Sequence, residues 1–374
     1  MRHLVIFASL LVCLLIGGRV FSQTAADGQA LKFDKKLEQL VQQDHFCGAV
    51  LIAQKGKVRF QKGYGLANLE WAIPNTPQTK FRIFSLTKQF TAAAILLLQE
   101  QGKLSVSDLV SRYVSDLPVE WRKLTLHQLL THTSGLPDYT QSPEIESFNL
   151  TGASPRQLIA LVEAKPLQFT PGSKMVYCNT GYILLGMVIE KVSGQSYSAF
   201  LKARIFAPLQ MNNSGYDDAD AVIPQRASGY QIKDGRLLNA KYLDMSVPYS
   251  AGALYSTVND LFKWNEALAS GGLLSQASQQ QMFIVYPEAS GYGAHYGYGI
   301  VISEKLGQLL YYHGGGGNGF ASAIQRYPKA ELCIIVLSNL ESVKSWDIAT
   351  EMAALWLKAT TQERHQAAPR KHRL

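Results

Sequence analysis

A serine and a lysine three positions apart, in the segment Ser85-Leu86-Thr87-Lys88, have the residue types of a nucleophile and its base. On a helix these two residues share one face, with about 5–6 Å between their β-carbons. The lysine amine can accept the hydroxyl proton when it is neutral, and burial can lower a lysine pKa by several units. The simpler interpretation is a capping serine beside a solvent-exposed lysine. The apolar run at residues 92–98 favours catalysis, because it predicts a helix that is buried from its start.

The chain contains one Y-x-N motif, Tyr177-Cys178-Asn179, directly before a predicted helix. In extended backbone, side chains two residues apart point the same way, so the phenol and the amide can face one site. A phenol can pass a proton, and an amide can bind a substrate carbonyl. An ordinary helix N-cap by Asn179 explains the motif equally well.

A third candidate is the run His313-Gly314-Gly315-Gly316-Gly317 late in the chain. Glycine weakens a strand interior, so a glycine cluster there indicates close approach of another backbone or a ligand. A substrate can lie along such an edge as an added strand, and a backbone N–H there can stabilise an oxyanion. The alternative is a flexible loop.

Other patterns of catalytic or metal sites are missing from the sequence. His127 and His132 are five residues apart, which is a poor spacing for a shared metal on one helix face. The stretch from residue 129 to residue 137 is typical of a helix end followed by a turn, and we interpret it as structural. No Gly-x-Ser-x-Gly, Cys-x-x-Cys or His-Glu-x-x-His motif occurs. The sequence therefore offers neither a zinc pattern nor the nucleophile motif of an α/β-hydrolase.

The elements that must position these residues divide the chain into β-rich ends and a helical middle. A buried strand is predicted at residues 49–53, and further strands at 58–61, 299–303, 308–313, 320–327 and 331–338. Helices are predicted at 85–101, from the capping box at 125–128 to Gly135, from the capping box at 154–157, and at 180–192. The fold class is therefore α+β: an antiparallel sheet built from both chain ends, flanked by helices, with an inserted all-helical region.

Four segments follow from this pattern. Residues 1–22 predict a removable export signal, with a positive start, an apolar run and a small-residue cleavage site at Ser22. Residues 23–80 together with 225–359 form the predicted sheet part, and residues 81–224 form the helical part. Residues 360–374 predict a basic, disordered tail. The mature protein is expected to be periplasmic or extracellular, with no stable membrane insertion after the signal is removed.

Charge and cysteine usage narrow the function further. The formal net charge is +8, and much of it comes from the leader and the tail. No basic stripe interleaved with aromatic residues indicates nucleic-acid binding. Cys47, Cys178 and Cys333 are widely spaced and odd in number, so we predict free thiols and not a disulfide framework.

The three motifs in this order resemble the serine β-lactamase/penicillin-binding-protein superfamily, and class C β-lactamases with their D-peptidase and esterase relatives most of all. The resemblance covers about residues 32–357, and is densest at 84–89, 129–139 and 177–181. It implies a β-lactamase/transpeptidase-like fold. It also implies a hydrolase that needs no metal or organic cofactor.

The resemblance assigns a role to each motif residue. Ser85 is the acylated nucleophile, Lys88 its base partner, and Tyr177 the proton shuttle toward the leaving group. Asn179 binds the substrate amide. The N–H groups of Ser85 and Gly316 form the oxyanion hole.

His313 and Gly315 match the basic residue and the glycine of the family's K-T-G motif, so both are assigned to substrate binding. Histidine in place of lysine departs from the pattern and puts strong β-lactamase activity in doubt. A histidine with an ordinary pKa would be mostly neutral above pH 7, so we expect it to read substrate charge in a pH-dependent way. The alternative is that His313 only hydrogen-bonds the Tyr177 phenol.

The expected function is hydrolysis of an ester or amide bond through an acyl-enzyme on Ser85. The substrate would be a small molecule or a peptide, such as a cell-wall peptide or a β-lactam. A D-amino-acid peptidase, carboxypeptidase or esterase with weak β-lactamase activity fits this expectation. A catalytically silent, penicillin-binding-like sensor or binding module is the alternative, and the intact set of Ser85, Lys88, Tyr177 and Asn179 weighs against it.

Overall fold

The structure is a computed structural model that describes residues 17–43, 46–291 and 293–367. Most of the predicted export signal therefore lies outside the described residues. A helix over Gly17–Gln42 spans the predicted cleavage site at Ser22. Removal of the leader and export stay predictions.

An eight-stranded antiparallel sheet lies at the centre of the fold. Strand Gly48–Gln54 pairs with Leu332–Ser338, with Gly48 opposite Ser338, which confirms a sheet built from both chain ends. The strands lie in the order Ser290–Gly291, Ala294–Tyr296, Val301–Lys305, Gln308–Gly317, Phe320–Tyr327, Leu332–Ser338, Gly48–Gln54 and Lys57–Tyr64.

Both faces of the central strands are buried, which explains their continuous apolar sequence. Along Leu332–Ser338, alternate side chains enter two different cores because side chains in a strand point to opposite faces. Ile335 packs with the helices of the middle of the chain. Ile334 packs with helices Gly17–Gln42 and Ser345–Ala367, through Phe33 and Met352 among others.

The helices between the strands form the layer that carries the candidate site. They cover Thr87–Glu100, Leu126–Leu130, Ile145–Thr151, Pro155–Ala160, Asn179–Ser193, Tyr197–Leu201, Tyr249–Gly252, Val258–Ser270 and Gln276–Phe283, with a π-helical turn at Lys202–Phe206. Short 3-10 turns lie at Phe84–Leu86, Val110–Arg112, Trp121–Lys123, Tyr139–Gln141, Pro287–Ala289 and Pro328–Ala330. Short strands pair as Leu66–Asn68 with Ile73–Pro74 and as Tyr230–Lys233 with Arg236–Asn239. Strand Leu254–Ser256 lies between Phe81–Arg82 and Gly215–Tyr216 and pairs with both.

Local signals placed most helix ends correctly. Both capping boxes are present, at Thr125 and at Ser154. The helix that begins after Thr125 ends at Leu130, so the predicted end at Gly135 is wrong. The physical reason is His132, whose φ of 59° places it in the left-handed region that no helix accommodates.

The C-terminal helix, Ser345–Ala367, continues past residue 360, where the sequence predicted disorder. Glutamine, glutamate, arginine and alanine at residues 362–367 are good helix formers, so the helix extends without apolar periodicity. Residues 368–374 of the predicted tail lie outside the described residues. Across the described ranges, no helix combines the length and the apolar character needed to span a bilayer.

Candidate active site

Ser85 lies in the 3-10 turn Phe84–Leu86, which leads directly into helix Thr87–Glu100. The sequence expectation of a serine at a helix start is met, although the first turn is 3-10 and not α. Phe84 has a φ of 44°, a left-handed conformation that is uncommon for a bulky side chain. The Ser322 hydroxyl donates to the carbonyl of Ile83 at 2.9 Å. The central sheet thus anchors the strained turn that presents Ser85.

The Lys88 side chain is fully buried and has three polar partners. Its Nζ lies 3.1 Å from Ser85 Oγ, 2.8 Å from Asn179 Oδ1 and 2.9 Å from the carbonyl oxygen of Ala251. The amide and backbone oxygens can only accept hydrogen bonds, whereas a hydroxyl can also donate. A neutral lysine amine has two N–H donors and one lone pair. Two donors to Asn179 and Ala251 therefore leave the lone pair for the Ser85 hydroxyl.

The environment of Lys88 also supplies the neutral amine that this geometry requires. Burial lowers the pKa of Lys88 to about 7, and the negative charge of Asp138 partly opposes this effect. A substantial fraction of the side chain is therefore neutral at physiological pH. A group with a pKa near the working pH is well suited to general-base catalysis.

Tyr177 covers Lys88, with Nζ 4.8 Å from the centre of the phenol ring. Burial raises the pKa of Tyr177, and the nearby Ser85 hydroxyl opposes the rise. The Tyr177 hydroxyl is buried and lies near the Ser85 hydroxyl. The His132 ring packs against the phenol at 4.3 Å between centroids. Tyr177 is thus a neutral phenol at neutral pH, held beside the nucleophile and its base.

Asn179 reaches the site because Cys178 is extended, with φ −144° and ψ 118°. Tyr177 and Asn179 therefore both face Lys88, as the Y-x-N spacing predicted. Cys178 is the N-cap residue, so the alternative of a cap by Asn179 is wrong. The Cys178 thiol points to the carbonyl of Leu136, at 3.3 Å, and all three described cysteines are free.

The glycine run continues strand Gln308–Gly317, so the predicted strand end at His313 is too early and the loop alternative is wrong. Gly317 pairs with Phe320 across a two-residue turn, and Gly315 pairs with Ser322. In an antiparallel ladder the backbone groups of alternate residues point to opposite sides. The N–H of Gly316 therefore points away from the neighbouring strand Phe320–Tyr327. On the other side of the glycine strand, pairing with Val301–Lys305 ends at Tyr312, so within the described ranges the edge formed by residues 313–317 has no strand partner on that side.

Close packing explains why two of these positions are glycine. A β-carbon on Gly315 would lie 2.2 Å from the carbonyl oxygen of Ile83 and 2.9 Å from the backbone nitrogen of Ser85. On Gly317 it would lie 2.3 Å from the Phe84 ring. The sequence inference that the glycines permit close backbone approach is confirmed.

Gly315→Ala is expected to displace Ser85 and to lower both the melting temperature and the rate at which a fluorophosphonate labels Ser85. Overpacking of this kind costs about 1–3 kcal/mol of unfolding free energy. Gly314→Ala is the matched control, because its β-carbon would meet only the Ser322 carbonyl oxygen at 3.5 Å, an ordinary contact. Thermal unfolding and labelling rates measured on both variants check this. Equal losses in the two variants would contradict the packing argument.

The environment of His313 differs from the solvated one that the sequence analysis assumed. Its Nδ1 lies 2.6 Å from the Gly314 carbonyl, which can only accept, so Nδ1 carries the hydrogen. Its Nε2 then accepts from the Tyr296 hydroxyl at 2.9 Å. Burial, with the positive charge of Lys88, lowers the pKa of His313 to about 3. The lowered pKa disfavours a pH-dependent reading of substrate charge, which stays a prediction, and the ring bonds Tyr296 and not the Tyr177 phenol.

Three residues at the site were not assigned a role from the sequence. Asp138 accepts hydrogen bonds from the backbone N–H and the side-chain amide of Asn179, at 2.8 and 3.0 Å. His132 packs against Tyr177 and accepts from the backbone N–H of Cys178. Tyr296 bonds His313. Asp138 directly follows Pro137, the last residue of the stretch that the sequence analysis interpreted as a structural turn.

A cavity of about 240 Å³ opens beside Ser85. None of its lining side chains carries a charge. They are mostly apolar, with hydroxyl and amide groups among them: Phe84, Ser85, Tyr139, Thr140, Ile145, Asn149, Asn179, Leu243, Val247, Pro248, Ala251, Gly252, Gly316, Gly317 and Asn318. Elsewhere in the described ranges, no group of three or more histidine, cysteine, aspartate or glutamate side chains is placed to hold a metal ion.

Comparison with known proteins finds a family and a set of solved structures. The family model described as Beta-lactamase matches residues 33–355. Among curated proteins, the putative penicillin-binding protein PbpX of Bacillus subtilis (strain 168) is 31% identical over 311 residues. That match covers 83% of this chain and 74% of the relative.

Two solved structures show the same fold. A penicillin binding protein from Bacillus halodurans superposes with a TM-score of 0.77 at 30% identity, covering 85% of this chain and 98% of that chain. A D-amino acid amidase from Ochrobactrum anthropi SV3, complexed with L-phenylalanine amide, superposes with a TM-score of 0.76 at 26% identity. It covers 91% of this chain and 99% of the amidase. These likenesses confirm the α+β, β-lactamase/transpeptidase-like architecture.

Proposed function

The chain belongs to the Beta-lactamase family of serine hydrolases, and we propose that it cleaves uncharged esters or amides through an acyl-enzyme on Ser85. The observation that carries this proposal is the set of three partners around Lys88 Nζ. In the neutral amine, two of them take the N–H groups and the lone pair remains for the Ser85 hydroxyl. The predicted export signal adds a periplasmic or extracellular location to the proposal.

The proposed reaction has two halves. Ser85 Oγ attacks the substrate carbonyl carbon while its proton passes to neutral Lys88. The N–H groups of Ser85 and Gly316 stabilise the negative charge on the carbonyl oxygen. Tyr177 relays a proton to the leaving group as the bond from the carbonyl carbon to that group breaks. Water then attacks the acyl-enzyme, giving its proton up through Tyr177, and Ser85 Oγ leaves with a proton from Lys88.

Asn179 is proposed to contact the acyl portion of the substrate. Its Oδ1 accepts from Lys88, and its side-chain amide donates to Asp138. Asn179 also lines the cavity beside Ser85, together with Gly316. An acyl group bound there lies between the Asn179 amide and the open edge of the glycine strand.

The electrostatics of the site favour a neutral substrate. Carboxylate substrates such as D-alanyl peptides and β-lactams need a cation, and buried His313 is neutral above a pKa of about 3. The cavity beside Ser85 is lined by uncharged side chains. We therefore place an esterase or amidase ahead of a carboxypeptidase or an efficient β-lactamase. The similar protein whose printed name is D-amino acid amidase supports amides within this class.

A matched pair of esters tests the substrate preference. 4-Nitrophenyl butyrate and mono-4-nitrophenyl succinate have acyl chains of the same length, and only the succinate carries a carboxylate. Because none of the side chains that line the cavity is a cation, we expect kcat/KM to be about 10- to 100-fold higher for the butyrate, the cost of one missing charged hydrogen bond. The ratio should stay constant from pH 6 to 8.5, because His313 does not titrate in that range.

The control is His313→Gln, which keeps one donor and one acceptor and cannot become a cation. Its butyrate-to-succinate ratio should match that of the native protein, even if both rates fall. A ratio that falls toward low pH in the native protein, and does not in His313→Gln, would show that His313 reads substrate charge. A preference for the succinate at every pH would overturn the proposed neutral substrate class.

A further inference from the structure

We infer that Asp138 is a positioning residue that directs the lone pair of Lys88 toward Ser85 by fixing the orientation of the Asn179 amide. This inference rests on the proposed function, because it assigns a residue to the same catalytic step. Asp138 is buried and belongs to none of the three motifs that suggested the reaction.

The Asp138 carboxylate is saturated with donors. Its Oδ1 accepts from the backbone N–H and the hydroxyl of Thr140, at 2.9 and 2.8 Å. Its Oδ2 accepts from the backbone N–H and the Nδ2 of Asn179, at 2.8 and 3.0 Å. Three of these four groups can only donate. Both carboxylate oxygens must therefore accept, and an amide at position 138 cannot replace them without losing a bond.

This arrangement determines which end of the Asn179 amide faces Lys88. Because Nδ2 is held by Asp138, Oδ1 is the end that lies 2.8 Å from Lys88 Nζ. An oxygen there takes one N–H of the amine. If the amide were reversed, its NH2 would face the amine and compete with the Ser85 hydroxyl for the lone pair.

Among the charge interactions of Lys88, the one with Asp138 has the largest effect on the Lys88 pKa. Among the described residues, four titratable groups interact electrostatically with Lys88: Asp138, Cys178, His132 and His313. The rings of Tyr177 and Tyr182 lie over its Nζ. Burial lowers the pKa values of both histidines and raises those of the thiol and both phenols. Within this set Asp138 is the one carboxylate, and its coulombic interaction raises the pKa of Lys88.

Asp138→Asn tests the inference through the pH dependence of Ser85 labelling by a fluorophosphonate probe. We expect the plateau rate to fall by about 10- to 100-fold, because the base is misdirected. The labelling rate should rise with pH as Lys88 loses its proton, and we call this rising part of the profile the limb. We expect the limb to move by about one unit to lower pH, because an opposite charge near Lys88 is lost. A purely structural role would lower stability and leave the limb in place.

Asp260→Asn is the matched control for loss of a buried carboxylate. Asp260 is 1% exposed and accepts from the backbone N–H of Asn213 at 2.7 Å and the Ser214 hydroxyl at 3.0 Å. This variant should be destabilised but should keep the native position of the limb. If Asp260→Asn moves the limb as far as Asp138→Asn does, the inference is overturned.

A double-mutant cycle with Asn179→Ala separates positioning from general damage. If Asp138 acts through Asn179, Asp138→Asn should cost little further rate in the Asn179→Ala background. Fully additive losses would overturn the inference. Should Asp138→Asn fail to fold, Asp138→Glu replaces it in the same cycle, since it keeps the charge and displaces the oxygens. It should lower the plateau rate and leave the limb near its native pH.

The native protein distinguishes the two levels of proposal. Absence of any label on Ser85 in the folded native protein would refute the proposed function itself. Labelling of native Ser85 with an unchanged limb in Asp138→Asn would refute only the role of Asp138.

Discussion

Ser85→Ala is expected to abolish covalent labelling by a fluorophosphonate and to reduce ester turnover by about 10⁴-fold or more. Removing a nucleophile eliminates the acyl-enzyme route and leaves only the contribution of the oxyanion hole and of substrate binding. Alanine fits the position, because it removes one oxygen from a turn whose anchors are the Ser322 hydroxyl and the glycine strand. The measurement is intact-protein mass spectrometry with peptide mapping, paired with turnover of 4-nitrophenyl butyrate.

Ser134→Ala is the matched control for Ser85→Ala. Ser134 is a buried serine, and its hydroxyl accepts weakly from the backbone N–H of Leu136 at 3.4 Å. The control should be labelled like the native protein. Label that persists in Ser85→Ala would contradict the assignment. A folded native protein that binds the probe reversibly but never becomes labelled would favour the alternative of a silent binding module.

The sequence predicted the parts of this fold that local patterns encode. The strand at residues 320–327 has the predicted bounds, and both capping boxes begin helices where expected. The catalytic motifs were found because Ser85 and Lys88 are one turn apart, and because Tyr177 and Asn179 flank an extended residue. Each of these relations spans only a few residues, so sequence spacing describes it directly.

What the sequence did not reveal depends on contacts between distant segments. Asp138 follows a proline in what reads as an ordinary turn, and its significance comes from two donors on Asn179, 41 residues away. Nothing in the local sequence distinguishes this aspartate from one that caps a turn.

The environment of His313 was missed for a similar reason. The expectation used a pKa appropriate to a solvated imidazole. In the fold, Tyr296 and the Gly314 carbonyl occupy both ring nitrogens, and burial lowers the pKa to about 3. Burial of this strand position is decided by the neighbouring segment that carries Tyr296, which the sequence analysis did not identify as part of the sheet.

Lys88→Ala and Tyr177→Phe are each expected to lower kcat by about 10² to 10⁴-fold, the usual contribution of a positioned acid or base. The two residues share one proton path, so the double variant should be little slower than the slower single variant.

The pH profile identifies which residue sets the acid limb. In the native protein kcat/KM should rise with pH through about 7 and then level off, because Lys88 with its lowered pKa must be neutral to accept the Ser85 proton. Tyr177→Phe should keep that limb, since it removes a proton relay and leaves the base in place. Lys88→Ala should lose it. If the limb persists in Lys88→Ala, another group is the base. His132 and His313 are poor candidates for a base that titrates near pH 7, because burial lowers the pKa values of both.

The double variant tests whether Lys88 and Tyr177 share one proton path. Fully additive losses would show that the two residues serve separate steps, and the single proton path from nucleophile to leaving group would have to be abandoned.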